Sequence, residues 1–586
     1  IDLSKQKVEV RELEKSFAVK FLGGSGFGIK WLYDLLPRGT DPFSPQNPLI
    51  FATGPLNGTR VYGAARHSVI SKSPLTGTVF DATSGGFFGV FMKKAGFDAI
   101  VISGKAEKPI YLTIFDGKVE FKDARELWGL TTKETIREIR KREGARVFVS
   151  AIGPAGEHLV LPASIMNDEA HTAGRGGLGA VMGSKKLKAI AVTGSQPIEE
   201  AKPEVLDELL EIMKVRITWN PILGNALREI GTAALFNVIN EWNLLPTKNF
   251  QLNSFEKAEA ISGDTLREKI LIRRAGCYNC PIACKRITKT KRMQGDGPEY
   301  ENLVNLGSML LIGNIEDVAE LNYLCNELGI DTISTGGTLA CALELSERGL
   351  LPVKIHWGDA ETLKKLVVDM AYRRGVGDLL AEGSKRMAER CGAPEVSMNV
   401  KGLEVPAYDP RNAFGMALTY GTSYRGACHL RSWAIAFEVI GVPNLVNRYS
   451  IFDKPALIKY TQDLTMIYDS IVMCQHFAVE FSEEPLSKML SAVIGFEYSK
   501  EELLKTGERI WNLARLFNLR EGFTKKDDML PERLLKPTPQ APGKEVPYEE
   551  LLNAYYEVRG WDAGGRPLPE TLERLDLVDE ARGVAP

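Results

Sequence analysis

Apolar residues follow two rhythms along this chain. Up to about residue 195 they come in short runs such as Leu49-Ile50-Phe51-Ala52, Ala99-Ile100-Val101-Ile102 and Ala189-Ile190-Ala191-Val192, bounded by glycine or proline turns. Such runs between turn signals predict strands. Glycine clusters punctuate the same region at Gly23-Gly24-Ser25-Gly26, Gly85-Gly86 and Gly174-Arg175-Gly176-Gly177. From Ser195 to Pro203 the sequence turns polar, and a helical rhythm begins near Val205. Between Asn314, a capping residue, and Gly329, a terminator, Leu321, Leu324, Cys325 and Leu328 fall on one helical face. A further helix is predicted from about Thr335 to Arg348, ending at Gly349, and the pattern breaks again between Cys391 and Pro410. The expected class is α+β: a β-rich segment over 1–200, a helical one over 201–405 and a second helical one over 406–586. No internal repeat or low-complexity tract is evident.

Composition adds exclusions. The 586 residues are 44% hydrophobic and 25% charged, enough for more than one core. A net charge of −2 and a pI near 6.4 give no basic field for nucleic acid. No apolar run is long enough to span a bilayer and no signal-peptide pattern opens the chain, so a cytoplasmic enzyme is expected. The chain opens on Ile1-Asp2-Leu3, already strand-like, and a short preceding stretch is expected.

Eight cysteines in a chain this long do not make a disulfide scaffold, but three crowd into Cys277-Tyr278-Asn279-Cys280-Pro281-Ile282-Ala283-Cys284. Thiolates at that spacing wrap one compact metal centre, and three from one loop plus one distant cysteine is a common frame for a four-iron cubane. Zinc ranks second, because no further Cys or His pair follows within forty residues; three metal-free structural cysteines rank last. The fourth ligand is one of Cys325, Cys341, Cys391, Cys428 or Cys474. Cys325 and Cys341 read as core, and spacing alone does not choose among the five.

Gly24-Ser25-Gly26-Phe27-Gly28 has the wrong interval for a dinucleotide fingerprint, and a glycine-rich turn feeding a helix at Ile29 is the expectation. No Walker motif is present. Other blocks are distinctive: Gly54-Pro55-Leu56-Asn57-Gly58-Thr59, Ser71-Lys72-Ser73-Pro74-Leu75-Thr76-Gly77, the stretch from Ala173 to Lys185, Gly297-Pro298-Glu299-Tyr300-Glu301, Gly329-Ile330-Asp331-Thr332-Ile333-Ser334, and Arg425-Gly426-Ala427-Cys428-His429-Leu430-Arg431. With the cysteine loop among them, the chain resembles the aldehyde ferredoxin oxidoreductase family of tungstopterin enzymes along nearly its whole length.

The resemblance implies an N-terminal β-sheet base carrying two pterins, closed over by two mainly helical domains. Tungsten (no side chain distinguishes it from molybdenum) is then held by four dithiolene sulfurs of a bis-molybdopterin. Mg2+ joins the pterin phosphates through the backbone carbonyls of Thr83 and Thr172, where relatives often have Asn and Ala. Gly85 and Gly174 lie beside these positions, and Arg66, Arg175 and Arg431 are the implied cationic contacts. Two loops, Asn326-Glu327-Leu328-Gly329-Ile330-Asp331 and Asp469-Ser470-Ile471-Val472-Met473-Cys474, resemble the family's pterin-binding loops. Asn326 replaces the leading Asp and Val472 the Gly, which leaves Asp331 and Asp469 as the firmer contacts. The resemblance makes Cys474 the fourth ligand of a [4Fe-4S] cluster. Where some members hold a subunit-bridging iron through Glu-x-x-His, this chain has Glu320-Leu321-Asn322-Tyr323, so that iron and the dimer built on it are not expected.

The implied chemistry is oxidation of a small aldehyde to its acid, with Glu301 activating water and His429, helped by Tyr408, bonding the substrate oxygen. Electrons leave through the cluster to ferredoxin or a small polyferredoxin-like subunit, the latter in a hetero-oligomer. The alternative is a low-potential reductase of the same family acting on an aromatic acyl-CoA or carboxylic acid. A pterin-free electron-transfer or assembly subunit ranks last, because both pterin loops are present.

Overall fold

The computed structural model describes residues 1–584. Ten strands lie in the first 193 residues: β1 Leu49–Ala52, β2 His67–Lys72, β3 Val79–Ser84, β4 Ala99–Ile102, β5 Ile110–Phe115, β6 Lys118–Asp123, β7 Phe148–Ala151, β8 Ile165–Asn167, β9 His171–Ala173 and β10 Leu187–Thr193. They form a four-stranded sheet in the order β3-β2-β1-β4 and a six-stranded sheet in the order β6-β5-β10-β7-β8-β9. Every pairing is antiparallel except β5 with β10. β1 and β2 are buried at every position, so neither shows the in-out alternation of a half-exposed strand. A small third sheet, β11 Leu271–Ala275, β12 Lys285–Lys289 and β13 Gln294–Asp296, carries the cysteine loop between its first two strands.

The first helix used below, α1 (Gly24–Leu35), corrects the expected glycine turn: the helix starts at Gly24 rather than Ile29. The glycines are there for close approach. A β-carbon on Gly24 would lie 2.2 Å from the Asp469 carbonyl oxygen, and one on Gly28 would lie 2.3 Å from Ile70 of β2.

The rest of the chain is mainly helical. Helices α2 (Tyr300–Asn305), α3 (Ile315–Leu328), α4 (Thr332–Glu347), α5 (Lys454–Ile471) and α6 (Lys500–Arg520) matter for the site. The caps of α3 are as expected: Asn314 accepts from the Glu316 amide at 2.9 Å, and Gly329 adopts φ +74°. Helix α4 begins at Thr332, three residues before the expected Thr335, because Asp331 accepts from the Ser334 amide at 2.8 Å.

Two helix ends dock onto the β-rich part. Between α3 and α4, the Asp331 amide donates to Pro162 O and the Ser164 amide to Gly329 O. After α5, the Arg66 amide donates to Val472 O and the Cys474 amide to Gly63 O. Val472 holds φ +54°, an unfavourable setting for a β-branched residue, and its Cγ1 occupies the space a β-carbon on Gly24 would need. Among the described residues, no helix is long and apolar enough to cross a membrane.

Candidate active site and cluster loop

The loop Cys277 to Cys284 bends through left-handed residues Asn279 and Ala283 and meets Cys474, which follows α5. The four thiols are close enough to repel one another as thiolates: Cys474 acts on Cys277, Cys280 and Cys284. Burial pushes the thiols of Cys277 and Cys284 up and that of Cys280 up to about 12. Burial also opposes ionisation of Cys474, but His476 and Arg66 outweigh it and bring that thiol down to about 6. Four half-buried thiols gathered at one place are a donor set that fits a [4Fe-4S] cluster.

Two histidines flank the set. His476 bonds Cys284 and Cys474, and His171 Nε2 lies 3.4 Å from Cys277 Sγ. Neither was singled out from sequence, although His476 stands two residues past a candidate ligand. Cys325 and Cys341 are buried on α3 and α4, and Cys428 takes a bond from Arg425.

Arg66 lies between this loop and the end of β3. Its Nη2 donates to the Thr83 carbonyl at 2.9 Å, and a β-carbon on Gly85 would meet Cys277 Sγ at 2.8 Å and Arg66 Nη1 at 3.9 Å. On the other side Asp331 lies 3.7 Å from Arg175 Nε, and a β-carbon on Gly174 would stand 3.2 Å from its carboxylate. Arg175 also donates to the carbonyls of Ala427 and Glu404 at 2.6 and 2.5 Å. The Thr172 hydroxyl points at Met166 Sδ, 3.7 Å away.

Asp469, at the end of α5, joins a fully buried network. Arg431 bridges Asp469 and Asp81 at 2.6 Å each and donates to the Tyr424 hydroxyl, which itself donates to Asp81. Ser25 also donates to Asp81, and Gln475 to Asp469. Against its burial, Asp81 is held below the usual carboxylate range by Arg431 and Arg425. Burial and the neighbouring Asp81 push Asp469 up. Arg431, expected at the cofactor, also holds Asp81 and Asp469 together.

Several buried polar atoms around these residues lack a protein partner, namely Arg175 Nε, Ser334 Oγ, Ser423 Oγ, Arg425 Nε, His429 Nδ1 and Ser470 Oγ. Buried polar groups are rarely left unpaired, so this concentration fits a large ligand rich in hydrogen-bonding groups, as a bis-pterin is.

Glu301, Tyr408 and His429 come together between the two carboxylate sites. Glu301 projects from the first turn of α2, accepts from the Ala407 amide at 3.1 Å and from Asn305 at 3.0 Å, and stands 3.5 Å from His429 Nδ1. Burial lifts its carboxyl to about 8, against the pull of Arg175 and these two bonds. Burial, with Arg175, Arg425 and Arg431 nearby, drives His429 well below its ordinary value. The ring of Tyr408 sits 6.0 Å from that of His429 and stacks on Tyr300 at 5.1 Å. At neutral pH the pair is therefore a carboxylic acid facing a neutral imidazole.

Elsewhere, Tyr323 turns inward and its hydroxyl bonds Thr288, while Glu320 bonds Thr290 and Lys364. The Lys364 ammonium is within 3.0 Å of Asp317, Glu320 and Glu361. A cleft of about 700 Å³ beside Lys72, Arg373 and Glu521 is lined by none of the expected site residues.

Two family models cover most of the chain: "Aldehyde ferredoxin oxidoreductase, N-terminal domain" over residues 1–194, and "Aldehyde ferredoxin oxidoreductase, domains 2 & 3" over residues 208–577. The tungsten-containing aldehyde ferredoxin oxidoreductases of Pyrococcus furiosus and Thermococcus kodakarensis are each 44% identical to it, with 99% of this chain and 98% of theirs covered. The aliphatic sulfonate oxidoreductase WOR-like subunit of P. furiosus is 33% identical, over 100% of this chain and 97% of its own. Among solved structures, the active site complex BamBC of benzoyl coenzyme A reductase, bound to 1,5-dienoyl-CoA, superposes with a TM-score of 0.86 at 27% identity, covering 99% of this chain and 97% of that one. On these grounds the chain belongs to the aldehyde ferredoxin oxidoreductase family.

Proposed function

We propose that this chain oxidises aldehydes to carboxylic acids at a tungsten bis-pterin centre and passes the electrons through a [4Fe-4S] cluster to ferredoxin or a ferredoxin-like subunit. The observation that carries the reading is the Glu301–His429 pair, a buried acid and a neutral imidazole 3.5 Å apart, set among Arg175, Asp331, Arg425 and Arg431. Cys277, Cys280, Cys284 and Cys474 would hold the cluster. Arg66, Arg175, Asp331, Asp469, Gly85 and Gly174 would border the pterins, with the Thr83 and Thr172 carbonyls toward Mg2+. When bound, the tungsten bis-pterin supplies a two-electron acceptor and the cluster a one-electron outlet. None of the eight cysteines is in a disulfide, which suits a reducing cytoplasm.

The reaction RCHO + H2O → RCOOH + 2 H⁺ + 2 e⁻ needs a group to take a proton from water and a donor for the developing oxyanion. Glu301, in its ionised form, takes the proton. His429 turns Nδ1 toward Glu301, and its Nε2 makes no hydrogen bond among the described residues. Once Glu301 holds the proton it has taken, it faces Nδ1 at 3.5 Å and favours the tautomer in which Nε2–H points at substrate oxygen. Tyr408 closes the site beside it, its own backbone fixed by the Tyr420 hydroxyl at 3.0 Å.

The likeness to the benzoyl-CoA reductase complex keeps a second reading, low-potential reduction of an aromatic acyl-CoA. The purified holoenzyme, assayed anoxically with benzaldehyde and viologen and in parallel with benzoyl-CoA and a low-potential donor, separates the two. Benzoate formation with no dienoyl-CoA product supports aldehyde oxidation; the converse overturns it.

A further inference from the structure

His171 opens β9 and pairs across the strands with Asn167. Its ring is buried, and Nε2 stands 3.4 Å from Cys277 Sγ. The ring lies flush against the cysteine loop because Gly85 and Gly86 carry no side chain. A β-carbon on Gly86 would lie 2.9 Å from Nδ1 and 3.2 Å from Cγ, and one on Gly85 would lie 3.3 Å from Cδ2. Gly86 also takes φ +96°, which glycine adopts at no steric cost. The same turn is tied to the loop: the Tyr278 amide donates to the Gly86 carbonyl at 3.1 Å, and the Gly86 amide donates to the Cys277 sulfur.

A neutral imidazole has one N–H and one lone pair, and its partners decide which nitrogen is which. Here Nδ1 is buried with no partner among the described residues. Asn167, its neighbour across the strand pair, turns its amide to Ser84 Oγ at 2.9 Å instead. The sulfur beside Nε2 is the acceptor that remains, and a coordinated thiolate has no proton of its own to give. The imidazole proton therefore belongs on Nε2 when Cys277 serves as a ligand. His476 bonds Cys284 and Cys474, so the two histidines act on different sulfurs.

We propose that His171 is a positioning residue of the cluster: its Nε2–H bonds the Cys277 sulfur and raises the cluster's reduction potential. The proposal rests on the electron-outlet reading above and names a residue that tunes it. Cluster potentials respond to hydrogen bonds on the ligating sulfurs. A reduced cluster carries one more electron, so its sulfurs accept more strongly, and an N–H aimed at one of them favours the reduced form. Cys277 shares this corner with Arg66: a β-carbon on Gly85 would lie 2.8 Å from the Cys277 sulfur and 3.9 Å from Arg66 Nη1. Arg66 is among the residues that would border the pterins, so the bond falls on the side of the cluster from which electrons would arrive.

The test is the midpoint potential of the cluster, read by electron paramagnetic resonance during an anoxic redox titration of the holoenzyme. His171→Phe and His171→Leu fill the same space and remove the donor. In each, the equilibrium constant for cluster reduction should fall about tenfold, or about 59 mV for one electron, the lower end of what a hydrogen bond to a charged group contributes. His171→Gln keeps an N–H and should fall by less. Iron content should match the parent's in every variant. A change of less than about twofold in both donorless variants overturns the proposal. So does loss of the cluster from both while His171→Gln keeps it, which would make the residue one of cluster assembly. A parent protein with no iron–sulfur signal fails the cluster reading itself, and this proposal with it.

Discussion

Replacing Glu301 by Gln keeps the side chain's shape and its bonds to Ala407 and Asn305 but removes its titration. Burial lifts the Glu301 carboxyl from 4.5 to about 8, a shift worth about 5 kcal/mol at roughly 1.4 kcal/mol per unit. Above pH 4.5 the unfolded chain ionises this group while the folded chain keeps the proton, so the native state binds more protons. Its contribution to stability therefore falls as pH rises from 4.5 to about 8 and is level beyond. Glu301→Gln removes that fall, and the variant should gain melting temperature over the parent as pH rises from 5 to 8. Activity should move the opposite way. At pH 7 only about one carboxyl in ten is ionised, so kcat/KM of the parent should climb with pH and level near 8. The variant should lose roughly 10²–10⁴-fold and the pH limb with it. The assay is viologen-coupled aldehyde oxidation from pH 6 to 9 at matched tungsten and iron content. A variant with full metal that keeps near-normal turnover, or the limb near pH 8, would refute the role of Glu301 as base. Loss of tungsten would instead reassign Glu301 to holding the cofactor.

Three further outcomes are expected. Cys474→Ser should abolish the iron–sulfur absorbance, whereas Cys325→Ser, buried on α3, should keep it; the reverse pattern would overturn the ligand assignment. Arg431→Met strands Asp81 and Asp469 against each other and should cost about 3–5 kcal/mol in denaturant unfolding, part of it recovered by adding Asp469→Asn; an additive double variant would contradict the network. His429→Asn should slow turnover about 10²–10³-fold at constant metal content, read by the same viologen assay, and a smaller effect would count against Nε2 as the oxyanion donor.

How much of this was legible in the sequence depends on whether a residue's partners are local. The strand Leu49–Ala52 is buried on both faces, so it reads as an unbroken apolar run. Helix α3 carries its own caps in Asn314 and Gly329. The three loop cysteines announce themselves by spacing. Glycines 24 to 28 misled because glycine is intrinsically poor in a helix, and the reason for it here is the Asp469 carbonyl, more than 440 residues along the chain. Asp81 sits unremarked between Phe80 and Ala82; only the fold brings Arg431 to it from 350 residues away. His171 shows no local sign of its place beside Cys277. The family resemblance singled out Glu301, His429 and Cys474, but it gave no hint that Arg431 pairs with two protein carboxylates.

The central claim is a single chain bearing both redox groups with no further iron at Glu320, whose carboxylate is already paired with the Lys364 ammonium at 2.6 Å. Elemental and pterin analysis of the anoxically purified protein tests it most directly. The account predicts one tungsten, two pterins and one four-iron cluster per chain, with the cluster signal reduced on adding aldehyde. Iron without tungsten or pterin, or a fifth iron lost on Glu320→Gln, would contradict it.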